Sequence, residues 1–137
     1  MNRWANRAET YLGVPYKNGG LTRSGLDCVG LIIAVLRDCG ELPEAVENRI
    51  KKPYSSIALN GELVRQLKTH TVPKTVPERG DLALYKLPGL ANATHLAVYL
   101  GNDKLIHAHS GAGRVVITNT PSPEERIKIH YYGKKDG

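Results

Sequence analysis

The sequence predicts an α+β domain in which helices precede an antiparallel β-sheet. Helical periodicity is confined to the first third of the chain, up to Gly40. After Pro77 the pattern changes to short alternating or β-branched runs that Gly, Asn, Asp or Pro residues separate. Helices and strands in separate blocks are typical of α+β folds. The 137 residues fit one domain of ordinary size, so we expect a single domain over residues 1–137.

Two helices are predicted before residue 40. The first covers residues 2–12, where Trp4, Ala8 and Tyr11 recur at helical spacing, and Pro15 follows its end. Residues 16–25 are rich in glycine and predict a loop. The second helix begins near residues 26–28 and extends to 38 or 39, with apolar residues around most of its circumference. We therefore expect this second helix to be buried in the core.

The remaining elements are shorter. Residues 41–54 predict an irregular segment, residues 60–68 a short helix and residues 133–137 a frayed tail. Strands are predicted over residues 81–85, 94–100, 104–109, 114–118 and 126–131.

Charge and hydropathy restrict the function classes. The 19 Lys and Arg exceed the 13 Asp and Glu, and the net charge of +6 favours an anionic partner such as cell wall, nucleic acid or an acidic protein. The basic residues are scattered, which disfavours nucleic-acid binding. The longest apolar run, residues 31–36, is far too short for a membrane span. Residues 1–9 contain no apolar segment of a secretory signal, which predicts a protein made in the cytoplasm.

The two cysteines lie in the second predicted helix. Eleven residues at ~1.5 Å each separate Cys28 from Cys39 by roughly 16 Å, too far for a disulfide, so both thiols are expected to be free. Cys28 lies at the first turn, where the helix dipole favours the thiolate and lowers the thiol pKa. It is either a nucleophile or a small buried packing residue. Cys39, near the other end, is expected to be an inert buried thiol.

Three of the five histidines fall in one predicted hairpin. A three-residue loop over residues 101–103 would pair Leu100 with Lys104 and place His95 opposite His109. His107 would then be a diagonal neighbour of His95, with all three rings on one face. A two-residue loop would move His107 to the other face. These side chains and Cys28 predict either a thiol–imidazole pair or a zinc site, although no C-x-x-C spacing supports a metal.

Five successive segments resemble the motifs of the NlpC-like cell-wall cysteine peptidases: residues 11–20 (YLGVPYKNGG), 25–31 (GLDCVGL), 80–83 (GDLA), 95–101 (HLAVYLG) and 105–108 (LIHA). The resemblance implies a papain-like α+β fold with N-terminal helices on a sheet of five to six strands. It implies that Cys28 is the nucleophile, His95 the base and His107 the residue that orients His95. The hairpin register, which places His109 opposite His95, leaves His109 as the alternative third member. The resemblance also implies that Tyr16 and Asp27 line the substrate cleft, and that neither a cofactor nor a metal is needed.

The implied substrate is an amide bond to a D-amino acid in a peptidoglycan stem peptide. Val29 stands where many family members have Ser, so a substrate contact is expected to differ. The absence of a signal peptide, the large residue after Cys28 and the segment Pro53-Tyr54-Ser55 resemble phage and prophage tail-associated members. This layout predicts delivery to the wall by a phage or phage-like tail, with tail-tip proteins as partners. The alternative is a tail-tip structural component with the same fold and little required hydrolysis.

Overall fold

The structure, a computed structural model, describes residues 2–42, 69–86 and 95–135. The helix predicted over residues 60–68 and the segment Pro53-Tyr54-Ser55 lie outside these ranges. The principal elements of these ranges are, in chain order, α1 (Asn2–Glu9), β1 (Leu21–Thr22), β2 (Gly25–Leu26), α2 (Cys28–Asp38), β3 (Thr71–Lys74), β4 (Leu82–Lys86), β5 (His95–Gly101), β6 (Lys104–His109), β7 (Arg114–Asn119) and β8 (Lys128–Lys134). A short 3₁₀ helix, Pro123–Glu125, precedes β8. No helix in these ranges has the length and apolar character that a membrane span requires.

The α+β prediction is confirmed. Six strands form an antiparallel sheet in the order β3-β8-β4-β5-β6-β7, and β1 pairs with β2 in a separate small sheet. Side chains of α1 and α2 pack with strand side chains such as Leu96 and Ile106 in one core cluster. These strand side chains come from every second position, which is the set that faces the helices. A second cluster, which includes Tyr85, Ala97 and Leu105, covers the opposite face.

Helix α2 lies at the centre of the main core. All nine residues from Cys28 to Leu36 are buried, which explains why apolar residues surround this helix. Asp27 has extended backbone angles and its carboxylate accepts a hydrogen bond from the Gly30 N–H, so it is the N-cap. Beyond the helix, Gly40 adopts a positive φ of 73°, as expected of a glycine after a helix C-terminus. The predicted bounds of this helix are confirmed.

Four stretches differ from the sequence predictions. Helix α1 ends at Glu9, before the predicted residue 12. The region predicted as a loop contains the short strands β1 and β2. The predicted frayed tail is wrong at its first two residues, because β8 continues through Gly133 and Lys134, which pair with Val72 and Thr71 of β3. Strand β3 was not predicted because it contains Pro73, which an edge strand tolerates.

The turn of the β5–β6 hairpin differs from the prediction, but the register of its strands agrees with it. The turn has two residues, Asn102 and Asp103, both with positive φ, and pairs Gly101 with Lys104. The predicted pairing of Leu100 with Lys104 is therefore wrong. However, the register shifts by one residue between Gly101 and Tyr99, and the next pairs are Tyr99 with Leu105 and Val98 with Ile106. The irregularity restores the predicted register and returns His107 to the face of His95.

Close packing holds the glycine-containing loop against the start of α2. A Cβ atom added at Gly30 would lie 1.9 Å from the carbonyl oxygen of Gly20, a contact that no side chain can make. Gly20 itself has no room, since its Cβ would lie 2.2 Å from the Gly25 carbonyl oxygen. These two glycines allow the loop to reach the turn that carries Cys28.

We expect Gly30→Ala to lower the free energy of unfolding by about 2 to 3 kcal/mol or more, because the loop or the helix must move to admit the methyl group. Urea unfolding monitored by circular dichroism measures this change. An unchanged unfolding midpoint would contradict the close approach of Gly20 to the helix.

Candidate active site

Cys28 is the first residue of α2 and is 8% exposed. Its sulfur interacts with the backbone N–H groups of Leu96 in β5, of Val29 and of Cys28 itself. The first of these contacts joins the helix to the strand that begins with His95. The structure therefore places the thiol beside the backbone of the residue that follows His95.

The expected low pKa of Cys28 is wrong. Burial and, to a lesser extent, the neighbouring Asp27 carboxylate raise the pKa of this thiol to about 11, and the three N–H groups offset this rise only in part. The field of the helix N-terminus is present, but loss of water around the sulfur outweighs it. Cys28 is consequently a neutral thiol at pH 7.

Asp27 fixes the local structure around Cys28. One carboxylate oxygen accepts the Gly30 N–H at 2.7 Å and the other accepts the Gly19 N–H at 2.7 Å. The side chain is 2% exposed, so one buried carboxylate ties the loop to the first turn of α2. These contacts give Asp27 a structural role, and its predicted contact with substrate stays a prediction.

Tyr16 lies near the same two residues. Its backbone forms a bridge with Leu26, and its N–H donates to the carbonyl of Gly113 at 2.8 Å. Burial raises the pKa of the half-buried phenol, and the Cys28 sulfur, once it is ionised at high pH, and the Asp27 carboxylate raise it further. The structure thus brings Tyr16, Asp27 and Cys28 together, as the sequence motifs predict.

His95 and His107 are in direct contact. Nε2 of His95 and Nδ1 of His107 are 2.7 Å apart, and the ring centroids are separated by 4.8 Å. The prediction that the two rings share a face is confirmed. His109 contacts His107 with a centroid distance of 5.4 Å, while its own Nδ1 accepts the Ala112 N–H at 3.0 Å. The hydrogen-bond partner of His95 is therefore His107.

Burial controls the protonation of this histidine pair. Burial, followed by the neighbouring rings of His107 and His109, lowers the pKa of His95 to about 3. Burial and then His109 lower the pKa of His107 to about 4. Both rings are neutral at pH 7. Because Nε2 of His95 is hydrogen-bonded to His107, Nδ1 of His95 is available for a second partner.

A cavity of about 240 Å³ opens beside the histidines and is lined by Tyr85, His95, His107, His109, Ser110 and Ile127. Tyr85 of β4 pairs with His95 and packs edge-on against its ring, with the centroids 5.0 Å apart. Tyr85 and Thr118, which contacts His107, were not predicted as site residues. Only the pairing of β4 with β5 and of β6 with β7 identifies them, and the sequence pattern does not give either register.

Three further expectations concern Val29, the thiols and a metal. Val29 is fully buried in the core, so its side chain does not contact a substrate. Both cysteines are free, as predicted, and the Cys39 sulfur faces the carbonyl of Arg3. Within residues 2–42, 69–86 and 95–135, no group of three or more His, Cys, Asp or Glu side chains has the geometry to hold a metal ion. The zinc-site alternative built on Cys28 and the hairpin histidines falls in these ranges and is not supported.

The buried ring of His107 and the half-buried ring of His95 predict a specific loss of stability in acid. Unfolding exposes them and returns their pKa values toward 6.5, so the unfolded chain binds more protons below that pH. We expect the stability due to the neutral rings to be complete above pH 6.5 and to be lost as the pH falls toward 3 to 4. Each ring contributes a slope of up to about 1.4 kcal/mol per pH unit.

Urea unfolding at pH 7, 6 and 5 measures this slope. The exposed His130 provides a control, since His130→Gln should leave the slope unchanged. A free energy of unfolding that stays constant, or increases, between pH 7 and pH 5 would contradict the burial of two neutral imidazoles.

The chain is similar to a known protein family over most of its length. The sequence model of the NlpC/P60 family matches residues 13–131. "Probable endopeptidase NlpC" of Escherichia coli is 30% identical over 108 residues, which cover 79% of this chain and 61% of that protein. "Murein DD-endopeptidase MepH" of the same organism is 27% identical over 131 residues, or 95% of this chain and 43% of the relative. The chain thus spans roughly half the length of these curated relatives.

Solved structures show the same fold. The P60 domain of an antigen from M. avium subspecies paratuberculosis superposes with a TM-score of 0.62 at 23% identity, covering 94% of this chain and 90% of that domain. The peptidoglycan hydrolase RipB of Mycobacterium tuberculosis gives a TM-score of 0.62 at 24% identity, covering 94% of this chain and 61% of that structure. The match over residues 13–131 includes every residue of the site described above, and the chain belongs to the NlpC/P60 family.

Proposed function

We propose that this protein is a cysteine peptidase that hydrolyses amide bonds in peptidoglycan stem peptides. The observation that carries the proposal is the arrangement of a buried thiol at a helix N-terminus beside the strand that presents a hydrogen-bonded pair of neutral histidines. Relatives named as murein endopeptidases and as a peptidoglycan hydrolase support it. The net charge of +6 favours docking on the anionic wall polymer.

In the acylation step the Cys28 sulfur attacks the carbonyl carbon of the scissile amide. Because the thiol is neutral, its proton must pass to Nδ1 of His95 as the sulfur–carbon bond forms. The carbonyl oxygen becomes an oxyanion, for which the Cys28 backbone N–H is a donor candidate. His95 then gives the proton to the leaving amine when the carbon–nitrogen bond breaks, which leaves a thioester on Cys28.

In the second step water hydrolyses the thioester. His95 takes a proton from the attacking water and returns it to the departing sulfur, which restores the neutral pair. His107 keeps Nε2 of His95 engaged through both steps and thereby directs Nδ1 toward the reacting atoms. In this proposal Tyr16, which lies near Cys28, contributes to the walls of the substrate cleft.

We also propose that the protein acts as part of a phage or phage-like tail that delivers it to the wall. The layout of the sequence motifs supports this context. The alternative function is that of a tail-tip structural component in which hydrolysis is dispensable. A neutral, half-buried His95 that is hydrogen-bonded to a second neutral histidine favours the enzyme, because such an arrangement has no evident use in a purely structural protein.

Digestion of purified peptidoglycan tests the enzymatic proposal. We expect the wild type to release fragments with defined new termini, detected by mass spectrometry, and Cys28→Ala to release none. Cys39→Ala is the matched control, and it should retain activity because Cys39 lies at the opposite end of α2. Wild-type protein that releases no fragments, or Cys28→Ala that releases as much as the wild type, would contradict the proposal.

The assignment of the third member is tested by two histidine variants. We expect His107→Ala to lower the turnover rate by about 10² to 10⁴-fold, because His95 loses the partner of its Nε2 atom. His109→Ala should lower the turnover rate far less, because His109 contacts His107 and has no hydrogen bond to His95. Rates measured on a defined stem peptide decide between them, and the reverse order would show that His109 is the third member.

A further inference from the structure

His107 has a second hydrogen-bond partner on the side away from His95. Its Nε2 atom lies 2.8 Å from the hydroxyl oxygen of Thr118. Thr118 belongs to the edge strand β7 and pairs with Leu105, which places it diagonally across from His107. It is half-buried and is not part of the lining of the cavity beside the histidines. The contact that connects Thr118 with the site is therefore its hydrogen bond to His107.

The proposed reaction determines which atom is the donor and which the acceptor in both hydrogen bonds of the row His95–His107–Thr118. His95 can accept the thiol proton only if its Nδ1 is bare, so its proton must lie on Nε2 and be donated to His107. Nδ1 of His107 is then the acceptor, and the single proton of this neutral ring lies on Nε2. That N–H points at Thr118, whose oxygen must accept it.

Removal of the Thr118 hydroxyl would favour the other tautomer of His107, with the proton on Nδ1. His107 is 4% exposed, and an N–H group buried without an acceptor is costly. The ring would avoid that cost by moving its proton to Nδ1, where it can donate to His95. His95 would then have to accept at Nε2 and carry its own proton on Nδ1. In that form His95 cannot accept the proton of Cys28.

We propose that Thr118 is a positioning residue that fixes the tautomer of His107 and, through it, the tautomer of His95. The inference rests on the proposed peptidase function for its consequence in catalysis, whereas the tautomers themselves are properties of the free protein. The hydroxyl is needed as an acceptor, so Ser should replace Thr118 and an apolar residue should not.

The experiment compares the wild type with Thr118→Val, Thr118→Ser and the control Thr120→Val. Long-range ¹H–¹⁵N spectra of the histidine rings at pH 7 report which nitrogen carries each proton. In the wild type we expect Nε2 to be protonated in both His95 and His107. In Thr118→Val we expect the protons to move to Nδ1, with a fall in kcat of about 10 to 10²-fold on a stem peptide and little change in KM.

Thr118→Ser should restore both the tautomers and kcat, and Thr120→Val should alter neither. Protonation of Nδ1 in the wild-type His107 ring would overturn the inference without any variant, so a failure of Thr118→Val to fold leaves it testable. Unchanged tautomers in folded Thr118→Val would overturn it as well. If the tautomers move as expected while the wild type hydrolyses no peptide, the peptidase proposal fails and the positioning role stands.

Discussion

The site depends on the two hydrogen bonds of the buried Asp27 carboxylate. One caps helix α2 at Gly30 and the other holds the loop at Gly19, so the nucleophile candidate Cys28 starts the helix in a fixed position. The glycines make this possible, since Gly30 lies against the Gly20 carbonyl where any Cβ would clash. The same carboxylate also acts electrostatically, because its charge adds to burial in raising the pKa of Cys28. Structural order and a neutral thiol thus have a common origin.

A neutral thiol changes what the histidines must do. A preformed thiolate would need only an imidazolium partner, whereas a thiol needs a base that is unprotonated and correctly oriented. Burial keeps His95 neutral, and the strands β5, β6 and β7 hold His95, His107 and Thr118 in one row across the sheet. A hydrogen-bonded row on paired strands is rigid because the backbone ladder fixes each Cβ position. The sheet therefore supplies the orientation that the proposed proton transfer requires.

Local patterns predicted much of this arrangement. Helical periodicity and the cap residues were enough to predict the bounds of α2. The alternation of side chains along β5 and β6 was enough to predict three histidines on one face. The two-residue turn would have separated them, and only the irregularity between Tyr99 and Gly101 restores the predicted register. Tyr85 and Thr118 depended on pairings between strands that no local pattern determines. The pKa of Cys28 moved in the direction opposite to the prediction because burial is a property of the folded chain, whereas the helix dipole can be inferred from position.

The protonation state of Cys28 tests this account most directly. Protein labelled with ¹³C at the cysteine Cβ, in a Cys39→Ser background, reports the ionisation of Cys28 through its chemical shift as the pH is raised. We predict a neutral thiol at pH 7 and a midpoint near 11, with a lower midpoint in Asp27→Asn because the negative charge beside the sulfur is removed. A thiolate at pH 7, with a midpoint below the ~8.5 of free cysteine, would contradict the neutral pair on which the mechanism is built.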